Sequence, residues 1–181
     1  PIKEIKHIQN IKKLLSDKPR DLAIFVFGVN TNLRASDLLK IRVGHVRYAN
    51  PGEHFNIREK KTGKTRAITI NKTVFDAIQR QIKCLGEPHD NDFLFPSRKG
   101  KKALTVSYLN SLVKEWTGAL NLKGNYGSHS LRKTFGFIHR TVHGTDIPTL
   151  MVMFNHNNQK QTLEYLCIQP EEIKGAYLKE I

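Results

Sequence analysis

Acidic residues are scarce in this chain: 16 Asp and Glu stand against 30 Lys and Arg over 181 residues, for a formal charge of +14. So lopsided a balance works against a cationic partner and favours a polyanion, of which nucleic acid is the commonest. Cysteine is nearly absent. Cys84 and Cys167 stand alone without metal-ligand spacing, which excludes a disulfide framework and a cysteine zinc site and fits a reduced, cytoplasmic setting. No apolar run is long enough to span a membrane and no signal peptide opens the chain. His139 and His143 are four apart but lack a HExxH pattern or a third ligand, so no metal is expected. Internal repeats and low-complexity stretches are missing too. The length suits one domain with a real core, and the first residue, Pro1, leads us to expect a fragment or a processed chain.

What is present is a series of periodic segments. Ile2, Ile5, Ile8, Ile11, Leu14 and Leu15 predict an amphipathic helix over residues 1–15, with Lys3, Lys6, Lys12 and Lys13 outside. Residues 21–29 read as a buried helix, Thr31 and Asn32 as a break, and 36–41 as a second helix. Arg34 is thereby set at a junction beside a helix N-terminus, where free N–H groups attract anions, with Asp37 placed to hold it by a salt bridge. Residues 46–48, 54–58 and 65–70 read as three short strands. A turn at Thr62-Gly63 pairs Phe55 with Ile70, Ile57 with Ile68 and Glu59 with Arg66, although Thr there also allows a looser loop. Lys61 stands near the tip.

Asn71 caps a helix with Val74, Ile78, Ile82 and Leu85 on one face, stopped by Gly86. A basic loop, 97–102, is expected on the DNA backbone. Residues 105–120 form a helix that turns Trp116 into the core, and Ser128 is read as the cap of the helix carrying His129 and Arg132. His139, Arg140 and His143 are read as surface or DNA-facing. Pro148 opens a helix that ends near Phe154, and Asn155 follows as a residue able to take a left-handed turn. A helix over 161–167 bears Tyr165, and 170–181 reads as a last amphipathic helix with Ile173, Ala176, Tyr177 and Ile181 apolar.

His129 and Arg132 lie one helical turn apart and share a face, offering an imidazole and a planar guanidinium to a phosphodiester. That pair alone is a common accident. Taken with Leu33-Arg34-Ala35-Ser36-Asp37-Leu38, Lys61-Thr62-Gly63-Lys64, Phe93-Leu94-Phe95-Pro96, Asn155-His156 and Tyr165, it resembles the catalytic domain of the tyrosine recombinase, or phage integrase, family over residues 20–168. The resemblance implies a mainly α (α+β) catalytic domain of the DNA breaking-rejoining type, with a small three-stranded antiparallel sheet. It also implies a single catalytic domain over 1–181, the family's N-terminal core-binding domain lying outside this chain, and residues 170–181 as a subunit-docking helix. Asn155 falls where the family usually has Gly, Lys133 where it often has His, and Asp37 where Glu is usual.

The same resemblance implies the roles. Tyr165 attacks a backbone phosphorus to give a covalent 3′-phosphotyrosyl intermediate, which conserves the phosphodiester energy without a cofactor. Arg34 and Arg132 clamp the non-bridging oxygens. Lys61, with Lys64 as the alternative, protonates the 5′-oxygen. His129 accepts the tyrosine proton or hydrogen-bonds the phosphate, and His156 hydrogen-bonds it. The expected partner is double-stranded DNA. A homotetramer is expected on DNA and a monomer for the isolated fragment, at the bacterial nucleoid, with integration or excision of a mobile element as the task. Two other readings stay open: type IB topoisomerase-like relaxation, and a non-catalytic DNA-binding module. A decayed module should have lost polar members of the set, yet all six positions are occupied.

Overall fold

The computed structural model describes residues 1–98, 102–168 and 170–180. Four helices open the chain: α1 (Ile5–Leu14), α2 (Pro19–Asn30), α3 (Ala35–Leu38) and α4 (Val43–Val46). A hairpin of β1 (His54–Arg58) and β2 (Thr65–Thr69) follows. Six further helices complete the described elements: α5 (Lys72–Leu85), α6 (Val106–Ala119), α7 (Ser128–Thr141), α8 (Ile147–Phe154), α9 (Gln159–Leu166) and α10 (Pro170–Tyr177). The mainly helical architecture with a small antiparallel sheet is as expected. No helix among the described residues is long and apolar enough to cross a membrane.

Helix α2 is the centre. Its apolar run is buried on every side, and Phe25 meets Trp116 of α6 edge-on at 6.0 Å while Phe27 meets Phe95 at 5.8 Å and Phe55 at 6.3 Å. Trp116 is thus a core residue, as its spacing indicated. Helix α2 packs on α5 and α7. The contact with α7 is close because residue 28 is Gly: a Cβ there would lie 2.5 Å from Leu131 Cδ1. The first helix docks through Ile8, Ile11 and Leu15, and the Ile2 N–H donates to Thr134 Oγ1 at 2.8 Å, tying the chain's start to α7.

Three expectations need correction. The sheet has two strands, because residues around 46 form α4 instead. Val43 and Val46 bury one face at helical spacing, and the Val43 and Gly44 N–H groups donate to the carbonyls of Asp92 and Asp90; Tyr48 is left exposed. The hairpin register is shifted by two residues: Phe55 faces Ile68 and Ile57 faces Arg66. A two-residue slip keeps every side chain on its face, so apolar alternation could not distinguish the two registers. The loop is the looser one, with four residues, 60–63. Glu59 N–H bonds the Lys64 carbonyl and Gly63 N–H bonds the Glu59 carbonyl, each at 2.9 Å, with Gly63 at φ +68°. Finally, α7 is capped one residue earlier than read. The Gly127 N–H donates to Ser130 Oγ at 3.0 Å, and Asn110 Oδ1 accepts the Ser128 N–H at 3.1 Å.

Other local readings hold. Asn71 Oδ1 caps α5, Gly86 ends it at φ +80°, and Asn155 closes α8 at φ +54°. The expected DNA-backbone contact of loop 97–102 falls partly on 99–101, outside the described residues. Ile181, read as part of the last helix, lies outside them too.

Candidate active site

Arg132 projects from the middle of α7 and is 2% exposed. Burying a guanidinium demands partners, and it has them from two segments. Nη1 donates to the Asn32 carbonyl at 2.7 Å and Nη2 to the Phe154 carbonyl at 2.8 Å. The break at Thr31-Asn32 therefore has a purpose: with Asn32 at φ +48°, α2 ends where a carbonyl can meet α7. Arg132 Nε is buried without a partner among the described residues. The guanidinium also lies over the rings of Phe154 at 4.9 Å and Tyr165 at 5.5 Å. Burial first, then the charge of Arg34, push its pKa down to about 10, so it remains a cation at neutral pH.

His156 follows the left-handed turn at Asn155. Its ring stacks on Phe154 with centroids 5.1 Å apart and lies 5.4 Å from the Tyr165 ring. Nδ1 is 3.1 Å from Thr162 Oγ1, and Nε2 is 3.4 Å from Arg132 Nη2. Desolvation, then the charges of Arg132, Arg34 and Arg66, lower its pKa to about 4. The ring is therefore neutral at pH 7. A lone pair on Nε2 facing the guanidinium puts the proton on Nδ1, toward Thr162.

Arg34 sits at the N-cap of α3, as the junction reading placed it, but its partner is not Asp37. Nη1 lies 2.8 Å from Glu59 Oε2. Asp37 Oδ1 instead accepts the Lys60 N–H at 2.9 Å. Glu59, 1% exposed, is the hub: Oε2 also accepts from Thr62 Oγ1 at 2.8 Å and Asn155 Nδ2 at 2.9 Å, and Oε1 accepts from Arg66 Nη1 at 3.1 Å. Arg66 further donates to the Thr31 carbonyl and to Asn32 Oδ1. Bonds from Asn155, Thr62 and Arg34 outweigh the burial of Glu59 and lower its pKa to about 2.

Four of the six predicted residues, Arg34, Arg132, His156 and Tyr165, are thus joined in one cluster. Tyr165 is half-buried on α9, its ring 6.0 Å from Lys133 Nζ and in contact with Phe154. Lys61 and His129 stand exposed and make no hydrogen bond or ion pair among the described residues. Lys61 lies between two tethered neighbours, Lys60 and Thr62, and His129 lies one turn before Arg132 on α7. Sequence reasoning missed the roles of Glu59, Arg66 and the Asn155 side chain. Its one clue was the pairing of Glu59 with Arg66, which survives as a diagonal contact across the hairpin. Arg140, read as surface or DNA-facing, clamps the C-terminal segment: it pairs with Glu172 and donates to the Leu166 carbonyl at 3.2 Å.

A family model described as the phage integrase family matches residues 2–172. Among relatives, the chain is 33% identical over 178 residues to "Probable integrase/recombinase YoeC" of Bacillus subtilis (strain 168), covering 98% of this chain and 94% of that one. Its fold is similar to that of a XerA recombinase, with a TM-score of 0.80 at 18% identity over 98% of this chain and 65% of the other. The same holds for XerH site-specific recombinase bound to palindromic difH substrate in a post-cleavage complex, with a TM-score of 0.77 at 22% identity over 95% of this chain and 49% of that one. The chain thus spans about half to two thirds of those two solved chains.

Proposed function

The chain belongs to the phage integrase family of tyrosine recombinases, and on that premise we propose that it cuts and rejoins double-stranded DNA through Tyr165. The observation that carries the reading is the convergence of Arg34, Arg132, His156 and Tyr165 on one cluster, in which three guanidiniums outnumber the carboxylates of Glu59 and Asp37. Such a site attracts a phosphodiester and opposes its charge where that charge grows in the transition state.

Each group then has a defined task. The Tyr165 oxygen forms a bond to phosphorus as the bond to the 5′-oxygen breaks. Arg34 and Arg132 hold the non-bridging oxygens, each with N–H groups beyond those engaged in protein contacts. His129 takes the phenolic proton or bonds the phosphate, and Lys61, with Lys64 as the alternative, protonates the departing 5′-oxygen. His156 hydrogen-bonds the phosphate through Nε2 once that nitrogen carries a proton on DNA, its ring held by the stack on Phe154. Rejoining runs the same steps backward.

Mobile-element integration or excision is the task we assign, supported by the relative named integrase/recombinase. XerH is bound to a DNA substrate, and the charge of this chain suits the same class of partner. Residues 1–181 act as one catalytic domain. Helix α10, whose Ile173 and Tyr177 are exposed, as is Leu178 just past its end, docks on a neighbouring subunit of a tetramer formed on DNA. We place the enzyme in the cytoplasm, at the nucleoid.

A nicked suicide duplex tests the reading, because loss of the short 5′-hydroxyl strand traps the intermediate. The chain should form a covalent adduct that survives denaturation, and Tyr165→Phe should form none. No adduct from either, or an adduct from both, contradicts it. Binding should weaken steeply with salt as counterions return to the phosphates.

A further inference from the structure

The geometry points to Glu59 as the positioning residue that sets Lys61 against the scissile phosphate. This rests on the site reading above and extends it to a residue outside the six. One oxygen, Glu59 Oε2, is shared by three segments: Arg34 at the N-cap of α3, Thr62 in the hairpin loop and Asn155 beside His156. Lys61 has no side-chain tether of its own among the described residues. Its backbone is fixed instead by its two neighbours. Lys60 N–H is held by Asp37 Oδ1 at 2.9 Å, and Thr62 Oγ1 by Glu59 Oε2 at 2.8 Å. Both carboxylates are buried, at 2% and 1% exposure, so both anchors belong to the rigid body of the domain.

An exposed four-residue loop gains reach and loses direction. Pinning the residue after Lys61 restores direction and leaves the ammonium free to swing onto the leaving oxygen. Because the pin is the oxygen that also holds Arg34 and Asn155, the proton donor and the phosphate clamp are registered to one atom. Glu59 touches neither the substrate nor the reacting atoms. It acts through Lys61 and, secondarily, through Arg34.

The chemistry separates these two routes. In cleavage the P–O5′ bond breaks and the 5′-oxygen needs a proton. If sulfur replaces that oxygen, the P–S bond breaks to a thiolate, whose conjugate acid has a pKa of about 8.5, so it departs without help. Glu59→Gln, Thr62→Val and Lys61→Ala are compared with the unchanged chain on nicked duplexes carrying either 5′-oxygen or 5′-sulfur at the scissile position. On oxygen, Glu59→Gln should cleave on the order of 10–100-fold more slowly and Lys61→Ala at least as slowly, in line with the loss of a general acid. On sulfur, both should recover to within about threefold of the unchanged chain, since the acid step is bypassed.

A slow Glu59→Gln that sulfur does not rescue overturns the inference and assigns Glu59 to the clamp or to stability alone. An unaffected Glu59→Gln overturns it outright. Should Glu59→Gln fail to fold, Thr62→Val decides, since Thr62 is exposed and its loss strands no charge: sulfur-rescued slowing supports the pin, and full oxygen activity refutes it. If the unchanged chain forms no adduct on either substrate, the site reading itself fails, a result distinct from all of these.

Discussion

Arg132 and Tyr165 face each other across 5.5 Å, yet they are held on different terms. Arg132 is almost wholly buried and bound to two backbone carbonyls, one from the end of α2 and one from the end of α8. Tyr165 is half-buried and, among the described residues, is held by ring contacts and by packing on a small second core of Phe135, Leu150, Phe154 and Leu166 that is separate from the main one. The same contrast runs through the whole site. Arg34, Glu59, Arg66 and His156 are locked by polar bonds, while Lys61, His129 and Tyr165 are left adjustable. On the proposed reading, the groups assigned to oppose phosphate charge are already held in place, which avoids reorganisation when the charge develops. The groups proposed to move protons or form bonds keep freedom, which suits steps whose geometry tightens only on substrate.

Breaking the locked half should cost most. Arg132→Ala leaves the Asn32 and Phe154 carbonyls without their donor and removes the proposed phosphate clamp. Cleavage should fall at least about a hundredfold, measured as the rate of adduct formation. Arg132→Lys should recover little of it, because one ammonium cannot replace a planar fork that reaches two carbonyls. If Arg132→Lys cleaves at near-normal rate, the fork is not what matters.

Gly136→Ala attacks the same half without touching a charge. A Cβ there would lie 2.8 Å from Phe154 Cζ, so α8 must shift and the ring under His156 with it. Stability should drop by about 1–3 kcal/mol in urea unfolding, and adduct formation should slow beyond what the unfolded fraction explains.

The adjustable half predicts the opposite pattern. His129→Ala should leave stability within about 0.5 kcal/mol, since the side chain is exposed and makes no bond among the described residues. Adduct formation should nonetheless slow on the order of a hundredfold, as expected for a lost proton-transfer group. A destabilised His129→Ala would erase the distinction between the two halves.

Acid should weaken the locked half as well, and gradually. The folded pKa of His156 is about 4 against an ordinary 6.5, so its neutral ring favours the folded state above 6.5 and that contribution is lost as pH falls toward 4. Glu59, at about 2 against an ordinary 4.5, adds a second loss as pH falls from 4.5 toward 2. Urea midpoints should therefore decline from pH 7 to 4, and His156→Gln should flatten the part between 6.5 and 4. An unchanged slope in that variant would place the titration elsewhere.

The contrast also explains how far the sequence could be read. Lys61, His129 and Tyr165 were singled out by their own chemistry and their place in a motif, which residue type and order carry without any tertiary contact. Helices α1, α2, α5 and α6 were legible from apolar spacing, and the left-handed Asn155 from its own side chain. The linkages of the locked half are long-range. Glu59 and Asn155 are 96 residues apart, as Arg132 and Asn32 are 100 apart, and no local pattern announces either bond. The Arg34–Asp37 bridge was the nearest local solution, and a more distant carboxylate displaced it. The two-residue register slip was invisible for a related reason: only the Gly63 loop and the Glu59 contacts separate it from the alternative, and these lie off the apolar face.

The most direct measurement is a structure of the Tyr165→Phe chain bound to nicked duplex DNA. Arg34 and Arg132 should both donate to non-bridging oxygens of one phosphate, with the bonds from Arg132 to the Asn32 and Phe154 carbonyls still in place. A phosphate seated away from those two guanidiniums, or an Arg132 that must leave its carbonyls to reach one, would contradict a cradle assembled before DNA arrives.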